Sequence, residues 1–137
     1  MRLILDSSVV VAAERRGDTV ERLIEQVIAA AGDQEAALSA IGVTELVHGI
    51  YRAKTNEIRR RREFFLDEIL DDLTVYPYTK DTARVAGRID GEQRDEGNVI
   101  PFADLLIGAT ALLLNFSVLT TNVRHFRLLP NLTVIKF

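Results

Sequence analysis

The chain has 137 residues, of which 47% are hydrophobic and 27% are charged. That length suits one folded domain with a sizeable core, and the composition excludes an intrinsically disordered chain. Seventeen Lys and Arg against twenty Asp and Glu give a net charge of −3, which disfavours nucleic-acid binding through bulk positive charge. With no cysteine, disulfide scaffolds, thiolate metal sites and thiol nucleophiles are excluded.

The apolar stretches do not have the form of targeting or membrane segments. Asp6 interrupts the apolar start of the chain, so the N-terminus does not predict a signal peptide. The longest apolar run, residues 105–114, is about half of the roughly 20 residues that a membrane span requires. We therefore expect a soluble cytoplasmic protein that makes no contact with a membrane.

Short apolar segments alternate with helical ones along the chain. In chain order, strands are predicted at residues 2–5, 36–39, 73–76, 118–120 and 133–135. Helices are predicted at residues 8–16, 18–31, 41–54, 56–71, 80–96, 101–114 and 123–127. Asp18 with Glu21 is interpreted as an acidic capping box, Thr55 as a helix cap, and Gly17, Gly32 and Gly97 as helix ends. The alternation predicts one α/β domain over residues 1–137, with a parallel sheet covered by helices on both faces.

Three acids lie in apolar surroundings. Asp6 follows the first strand, at the edge where open α/β sheets bind ligands, although it is equally interpretable as a cap of the next helix. Asp104 lies in the most apolar helix. Its burial costs several kcal/mol, more than the roughly 0.3–1 kcal/mol that a helix dipole returns. A functional role is therefore favoured for Asp104.

Glu45 is the third acid of this kind. Its helical face carries Gly42 and Gly49, and because an interior glycine costs about 1 kcal/mol relative to alanine, this indicates a close approach of backbone or ligand. The alternative is a salt bridge to Arg52. If the sheet edges coincide, Asp6, Glu45 and Asp104 form an all-oxygen cluster of the kind that binds Mg²⁺ or Mn²⁺.

Four short motifs surround these acids and span nearly the whole chain. Each is loose alone, but their order is specific: Leu5-Asp6-Ser7-Ser8, Thr44-Glu45-Leu46 with Gly49, Asp104-Leu-Leu-Ile-Gly-Ala-Thr-Ala111, and Leu119-Thr-Thr-Asn122 followed by His125-Phe126. In these motifs the chain resembles the PIN-domain ribonucleases, and within them the VapC-type toxins of bacterial and archaeal toxin–antitoxin pairs.

The resemblance implies a central parallel sheet of about five strands and a Mg²⁺- or Mn²⁺-dependent endoribonuclease. Asp6, Glu45 and Asp104 match the family's three acids, which implies that they are metal ligands and catalytic residues. Asn122 matches a fourth catalytic position that is often Asp, and Ser8 and Thr120 match supporting positions. The resemblance also implies a cognate antitoxin and a homodimer as partners. Setting the three acids aside leaves seventeen acids for seventeen bases, so the net charge no longer weighs against an RNA substrate.

A strongly basic segment precedes an acidic one. Residues 51–62 carry a local charge of +5 and residues 63–72 a charge of −5. The cations lie at the N-terminal end of a predicted helix, against the dipole preference, so local stability does not explain them. We interpret Arg59, Arg60, Arg61 and Arg62 as a guide for RNA phosphates, with a solvated face in which Arg59 pairs with Glu63 as the alternative.

Other functions are less consistent with the residues. No Ser/His/Asp arrangement offers a nucleophile, and His125 is expected on the surface of a helix, outside the catalytic site. A haloacid-dehalogenase-type phosphatase needs a second acid two residues after Asp6, where Ser8 stands. A response-regulator receiver needs a lysine at the end of a late strand, where the chain has Thr120 and Asn122. A degenerate, non-catalytic PIN-like module that binds RNA or protein remains open, because Asn122 replaces an acid.

Overall fold

The computed structural model describes residues 2–137 as an open sheet with helices on both faces. The strands and helices alternate as the sequence predicts, with helix ends that differ by one to three residues. In chain order they are β1 (Arg2–Leu5), α1 (Ser7–Arg16), α2 (Val20–Ala31), β2 (Glu35–Ser39), α3 (Ala40–Tyr51), α4 (Asn56–Asp72), β3 (Thr74–Tyr76), α5 (Lys80–Asp95), α6 (Phe102–Leu114), β4 (Ser117–Thr120), α7 (Val123–Phe126) and β5 (Val134–Lys136).

All five strands are parallel, in the order β3-β2-β1-β4-β5. The chain moves outward from β1 through β2 to β3 and then crosses to the other side of β1 for β4 and β5. The order therefore reverses between β1 and β4, and the carboxyl ends of these two strands border the crevice where open α/β sheets bind ligands. The predicted fold class and the number of strands are confirmed.

The core lies in two layers, one on each face of the sheet. Leu3 and Leu5 of β1 pack among α1 to α4, whereas Ile4 packs against α5 and α6 on the other face. Because both faces are covered, the central strand β1 has consecutive buried apolar residues, Leu3, Ile4 and Leu5, as in other parallel sheets. No helix within residues 2–137 has the length and apolar character needed to cross a membrane.

Two local predictions about helix starts are wrong. The cap of α2 is Thr19, whose hydroxyl accepts a hydrogen bond from the Arg22 backbone N–H at 3.1 Å. Asp18 does not take this role because its carboxylate pairs with Arg16 at 2.9 Å. Pro101 precedes α6 instead of lying in its first turn. The Thr55 cap of α4 is confirmed, as are the glycine ends of α1 and α2.

One glycine allows a close approach between α6 and the segment that follows α7. A Cβ atom on Gly108 of α6 would lie 2.5 Å from a terminal methyl carbon of Leu129, which is buried just after α7. No atom could occupy that distance without displacing the leucine. The missing side chain therefore lets the segment after α7 pack directly on α6.

Candidate active site

Asp6 is buried at the carboxyl end of β1 and is held by two hydroxyl groups. Its Oδ2 accepts hydrogen bonds from Ser8 Oγ at 2.6 Å and from Thr120 Oγ1 at 2.8 Å. Asp6 occupies the residue before α1, but its side chain makes no capping hydrogen bond. The alternative interpretation of Asp6 as a helix cap is therefore wrong. Its Oδ1 is buried and has no hydrogen-bond partner among the described residues.

The two hydroxyls are themselves oriented by the backbone that follows β4. Ser8 Oγ accepts from the Thr121 N–H at 3.1 Å, and Thr120 Oγ1 accepts from the Asn122 N–H at 2.9 Å. A hydroxyl group can accept a hydrogen bond and donate its own proton at the same time. The backbone N–H groups therefore fix the two oxygens, and each hydroxyl donates its proton to Asp6. The network ties the ends of β1 and β4 together and directs two donors at one carboxylate oxygen.

Asp104 lies in the first turn of α6, where its residue is 8% exposed. Its Oδ2 is 2.7 Å from His125 Nδ1, and its Oδ1 has no hydrogen bond among residues 2–137. Burial raises the pKa of Asp104, and the charge of Asp6 raises it further, whereas His125 lowers it. A carboxylate in this setting gains from any cation that reaches its free oxygen.

Glu45 projects from α3 towards the same crevice. Ser7 Oγ donates to Glu45 Oε1 at 2.8 Å, and no ion pair to Arg52 forms within the described part of the chain. Burial raises the pKa of Glu45, and the charges of Asp6 and Asp104 add to that increase. The close approach of backbone expected at the glycines of this helix is not found: a Cβ on Gly42 would meet only the Ser39 side chain, at an ordinary contact distance of 3.4 Å. The space beside Gly49 is open.

The three acids share a pattern that suits a divalent cation. In each, one oxygen is held by a side chain of the protein and the other has no hydrogen-bond partner among the described residues. No three His, Asp or Glu side chains within residues 2–137 are already arranged to hold a metal ion. The free oxygens of the three acids and their mutual charge effects nevertheless fit the chemistry of Mg²⁺ or Mn²⁺, which prefer carboxylate oxygens.

The remaining residues of this edge are Asn122 and two side chains, Ser7 and His125, that support the acids. Asn122 lies exposed beyond β4, and its side-chain amide makes no hydrogen bond within the described residues. Ser7 holds Glu45, although no role is predicted for it from the sequence. His125 holds Asp104, so the expectation that His125 lies outside the site is wrong. His125 is in a helix, as expected, but its contact with Asp104 brings it into the site. The sequence feature that could have indicated this role is the position of His125, three residues after Asn122.

The basic segment of α4 has structural contacts of its own. Arg61 and Arg62 pair with Glu14 of α1 at 3.0 and 3.7 Å, and Arg62 Nη1 also donates to the Gly49 carbonyl at 2.7 Å. The Arg59 guanidinium lies 5.2 Å from the centre of the Tyr51 ring instead of pairing with Glu63. Arg60 alone of the four is exposed and has no ion pair among residues 2–137. These contacts leave fewer unpaired cations on α4 for RNA phosphates than the sequence suggests.

Comparison with known proteins identifies the family. The family model described as "PIN domain" matches residues 3–131. The chain belongs to the PIN-domain family. A protein named Ribonuclease VapC from Rickettsia bellii is 31% identical to this PIN domain over 135 residues, which cover 98% of this chain and 96% of the relative. The resemblance to PIN-domain proteins of the VapC type, which the motifs predict, is confirmed.

Solved structures show the same fold. A crystal structure of VapBC2 from Rickettsia felis, bound to a DNA fragment from its promoter, superposes on this PIN domain with a TM-score of 0.84 and 24% identity. The match covers 99% of this chain and 98% of that one. A second structure is VapBC-5 from Mycobacterium tuberculosis, described as a member of the VapBC family of toxin–antitoxin systems. It has a TM-score of 0.75 and 26% identity, and the match covers 99% of this chain and 97% of that one.

Proposed function

We propose that this protein is a divalent-metal-dependent endoribonuclease and the toxin of a toxin–antitoxin pair, with one PIN domain over residues 1–137 carrying the activity. The observation that supports this best is the set of free carboxylate oxygens on Asp6, Glu45 and Asp104. The other oxygen of each acid is held by a side chain of the protein. The three acids are close enough that the charges of Asp6 and Asp104 raise the pKa of Glu45 and the charge of Asp6 raises that of Asp104. The ribonuclease name of the Rickettsia bellii relative supports the same activity.

The chain's own residues prepare the site for a phosphodiester. Asp6 Oδ1, with Asp104 and Glu45, would hold the cation, and Ser8 and Thr120 prevent Asp6 from rotating away. When bound, Mg²⁺ or Mn²⁺ supplies Lewis-acid stabilisation of the negative charge that develops at the phosphate. His125 fixes the orientation of Asp104, and Ser7 fixes that of Glu45. The free amide of Asn122 is available to orient a water molecule or a phosphate oxygen.

The direct test is cleavage of a single-stranded RNA labelled at its 5′ end. The wild-type protein should cleave the RNA with Mg²⁺ or Mn²⁺ and lose the activity in excess EDTA. Asp6→Asn and Asp104→Asn should reduce cleavage by more than the roughly 10–100-fold that loss of an outer-shell partner costs. Asp67→Asn, the same change at an exposed acid of α4, is the control and should leave the rate unchanged.

Two results would contradict this function. Full cleavage by the Asp6→Asn protein, or in EDTA, would exclude the metal-centred site. RNA binding without cleavage in either metal would instead identify the non-catalytic PIN-like module that the sequence left open. The first result would indicate an enzyme with a different mechanism, and the second a protein with no enzymatic activity.

We also propose a cognate antitoxin and a homodimer as partners, and the cytoplasm as the location. The VapBC-5 likeness supports an antitoxin, and an apolar pocket supplies a surface for one. The pocket lies between α1, α3 and α4 and encloses about 90 Å³, lined mainly by apolar side chains such as Val10, Leu46, Ile50 and Phe65. Co-expression with the product of the adjacent upstream gene should give a stable complex that no longer cleaves RNA. Analytical ultracentrifugation of the free protein should report a dimer.

A further inference from the structure

A groove beside the acid cluster carries a concentration of positive charge that the sequence did not reveal. We call it the α7–β5 groove. It encloses about 960 Å³, opens to solvent, and is lined by side chains that include Asn122, Arg124, His125, Arg127 and Lys136. None of the lining residues is acidic. The three cations come from α7, the residue that follows it and β5, so no continuous run of basic residues marks them in the chain.

The cations of the α7–β5 groove are exposed and have no ion pair among residues 2–137. This holds for Arg124, Arg127 and Lys136, in contrast to Arg61 and Arg62, which pair with Glu14. In a protein of net charge −3, three unpaired cations around one concave surface form a local positive potential. Such a surface suits a polyanion, because neutralising each phosphate releases a condensed counterion.

The groove borders the acid cluster through residues that line the groove and also contact the cluster. Asn122 and His125 line the groove, and His125 Nδ1 is also 2.7 Å from Asp104 Oδ2. Thr121, another lining residue, donates its N–H to Ser8, which in turn holds Asp6. A strand of RNA whose phosphates follow the cations therefore arrives at the acid cluster with no intervening acidic surface.

We propose that the α7–β5 groove binds the phosphates of single-stranded RNA next to the scissile bond, and that α4 does not. This inference rests on the proposed ribonuclease function and assigns the path of its substrate. The cations would contact the backbone, so the groove contributes affinity and register without selecting a base sequence. Binding should accordingly depend steeply on salt concentration.

The test measures how the dissociation constant for a labelled single-stranded RNA changes with salt, in an Asp6→Asn background that cannot cleave it. Replacing Arg124, Arg127 and Lys136 together by alanine should lower the slope of log affinity against log salt by about 2, since each phosphate contact on a single strand contributes roughly 0.7. The matched control replaces Arg84, Arg88 and Arg94 of α5 by alanine. It removes the same charge outside the groove and should leave the slope nearly unchanged.

Further variants and the cleavage assay keep the outcomes distinct. A protein with Arg124→Lys and Arg127→Lys keeps the charges, so it should retain the wild-type slope and show that the effect is electrostatic. Equal slopes for the triple alanine variant and its α5 control, while the wild-type protein cleaves RNA, would overturn the proposed role of the groove and leave the proposed ribonuclease function intact. A wild type that neither binds nor cleaves RNA overturns the proposed function, and the groove with it. An α4 variant, Arg59→Ala with Arg60→Ala, that lowers the slope as much as the groove variant also overturns the proposal.

Discussion

The hydroxyl of Thr120 offers a sharp test of how the site is held, through the substitution Thr120→Val. Valine has nearly the shape of threonine, so it fills the same fully buried space but removes the donor to Asp6. The change leaves Asp6 Oδ2 with Ser8 as its single hydroxyl partner. Any loss of stability then measures the hydrogen bond to the carboxylate more than a change in packing.

The expected magnitude follows from the charge of the acceptor. A hydrogen bond to a charged group contributes about 1.5–3 kcal/mol, and the Asn122 N–H that loses its acceptor lies near solvent, where water replaces the lost bond. We therefore expect Thr120→Val to lower the free energy of unfolding by about 1.5–3 kcal/mol. The same substitution should weaken Mn²⁺ binding by roughly 10–100-fold, as other losses of a ligand's support do.

Thr110→Val is the matched control for this experiment. Thr110 is also buried, but its hydroxyl donates at 2.8 Å to the Leu106 backbone carbonyl, a neutral acceptor in its own helix. Its loss should cost less than about 1 kcal/mol. Urea denaturation of both variants, with unchanged m-values, gives the comparison. Equal losses for the two substitutions would refute the reasoning, because the charge of Asp6 would then add nothing.

Three further changes test other features. Glu45→Gln should gain stability over wild type as pH rises from about 4.5 without divalent cations, because the raised pKa of Glu45 means that its ionisation destabilises the fold. Arg62→Ala should cost about 1–3 kcal/mol by leaving buried Glu14 under-paired, and Glu14→Leu in the same protein should recover part of the loss. Gly108→Ala should cost about 1–3 kcal/mol because the new methyl group collides with Leu129.

Each of these three substitutions has a control or a result that would contradict its explanation. A stability difference between Glu45→Gln and wild type that stays constant with pH would mean that this carboxyl is not strained by ionisation. Arg60→Ala should change stability by less than about 0.5 kcal/mol, and a loss equal to that of Arg62→Ala would contradict the pairing role. Gly87→Ala, where the space is open, should stabilise helix α5 by about 0.5–1 kcal/mol. A similar gain at Gly108 would contradict the collision.

The acids of the candidate site were predictable because each breaks a local rule. Asp6 and Asp104 lie in apolar segments where an unpaired charge is costly, and parallel strands bring their carboxyl ends to one edge. The metal-binding and catalytic roles of these acids, and of Glu45 and Asn122, stay predictions. Ser7 and His125 escaped the sequence because a serine before a helix or a histidine in a short helix has an ordinary surface explanation.

The arginines of α4 show what a local charge count misses, and their role in RNA binding stays a prediction. A run such as Arg59–Arg62 has a conspicuous local charge, but Glu14, which pairs with two of them, lies 47 residues before Arg61. Sequence-local charge counts cannot include such a partner. Conversely, the cations of the α7–β5 groove are spread over residues 124–136 and become neighbours only through β5 pairing beside β4. Charge that comes together through sheet topology has no signature in a linear window.

The hydroxyl bridge between the first and fourth strands has a consequence for when the protein becomes active during its synthesis. Thr120 lies 114 residues after Asp6, and His125 lies 21 residues after Asp104. A nascent chain that ends before β4 and α7 therefore lacks the Thr120 donor to Asp6 and the His125 partner of Asp104. Because the site depends on contacts between β1 and segments more than 100 residues later, a ribosome must synthesise the chain beyond α7 before the site can assemble. Interrupted synthesis should thus yield inert fragments.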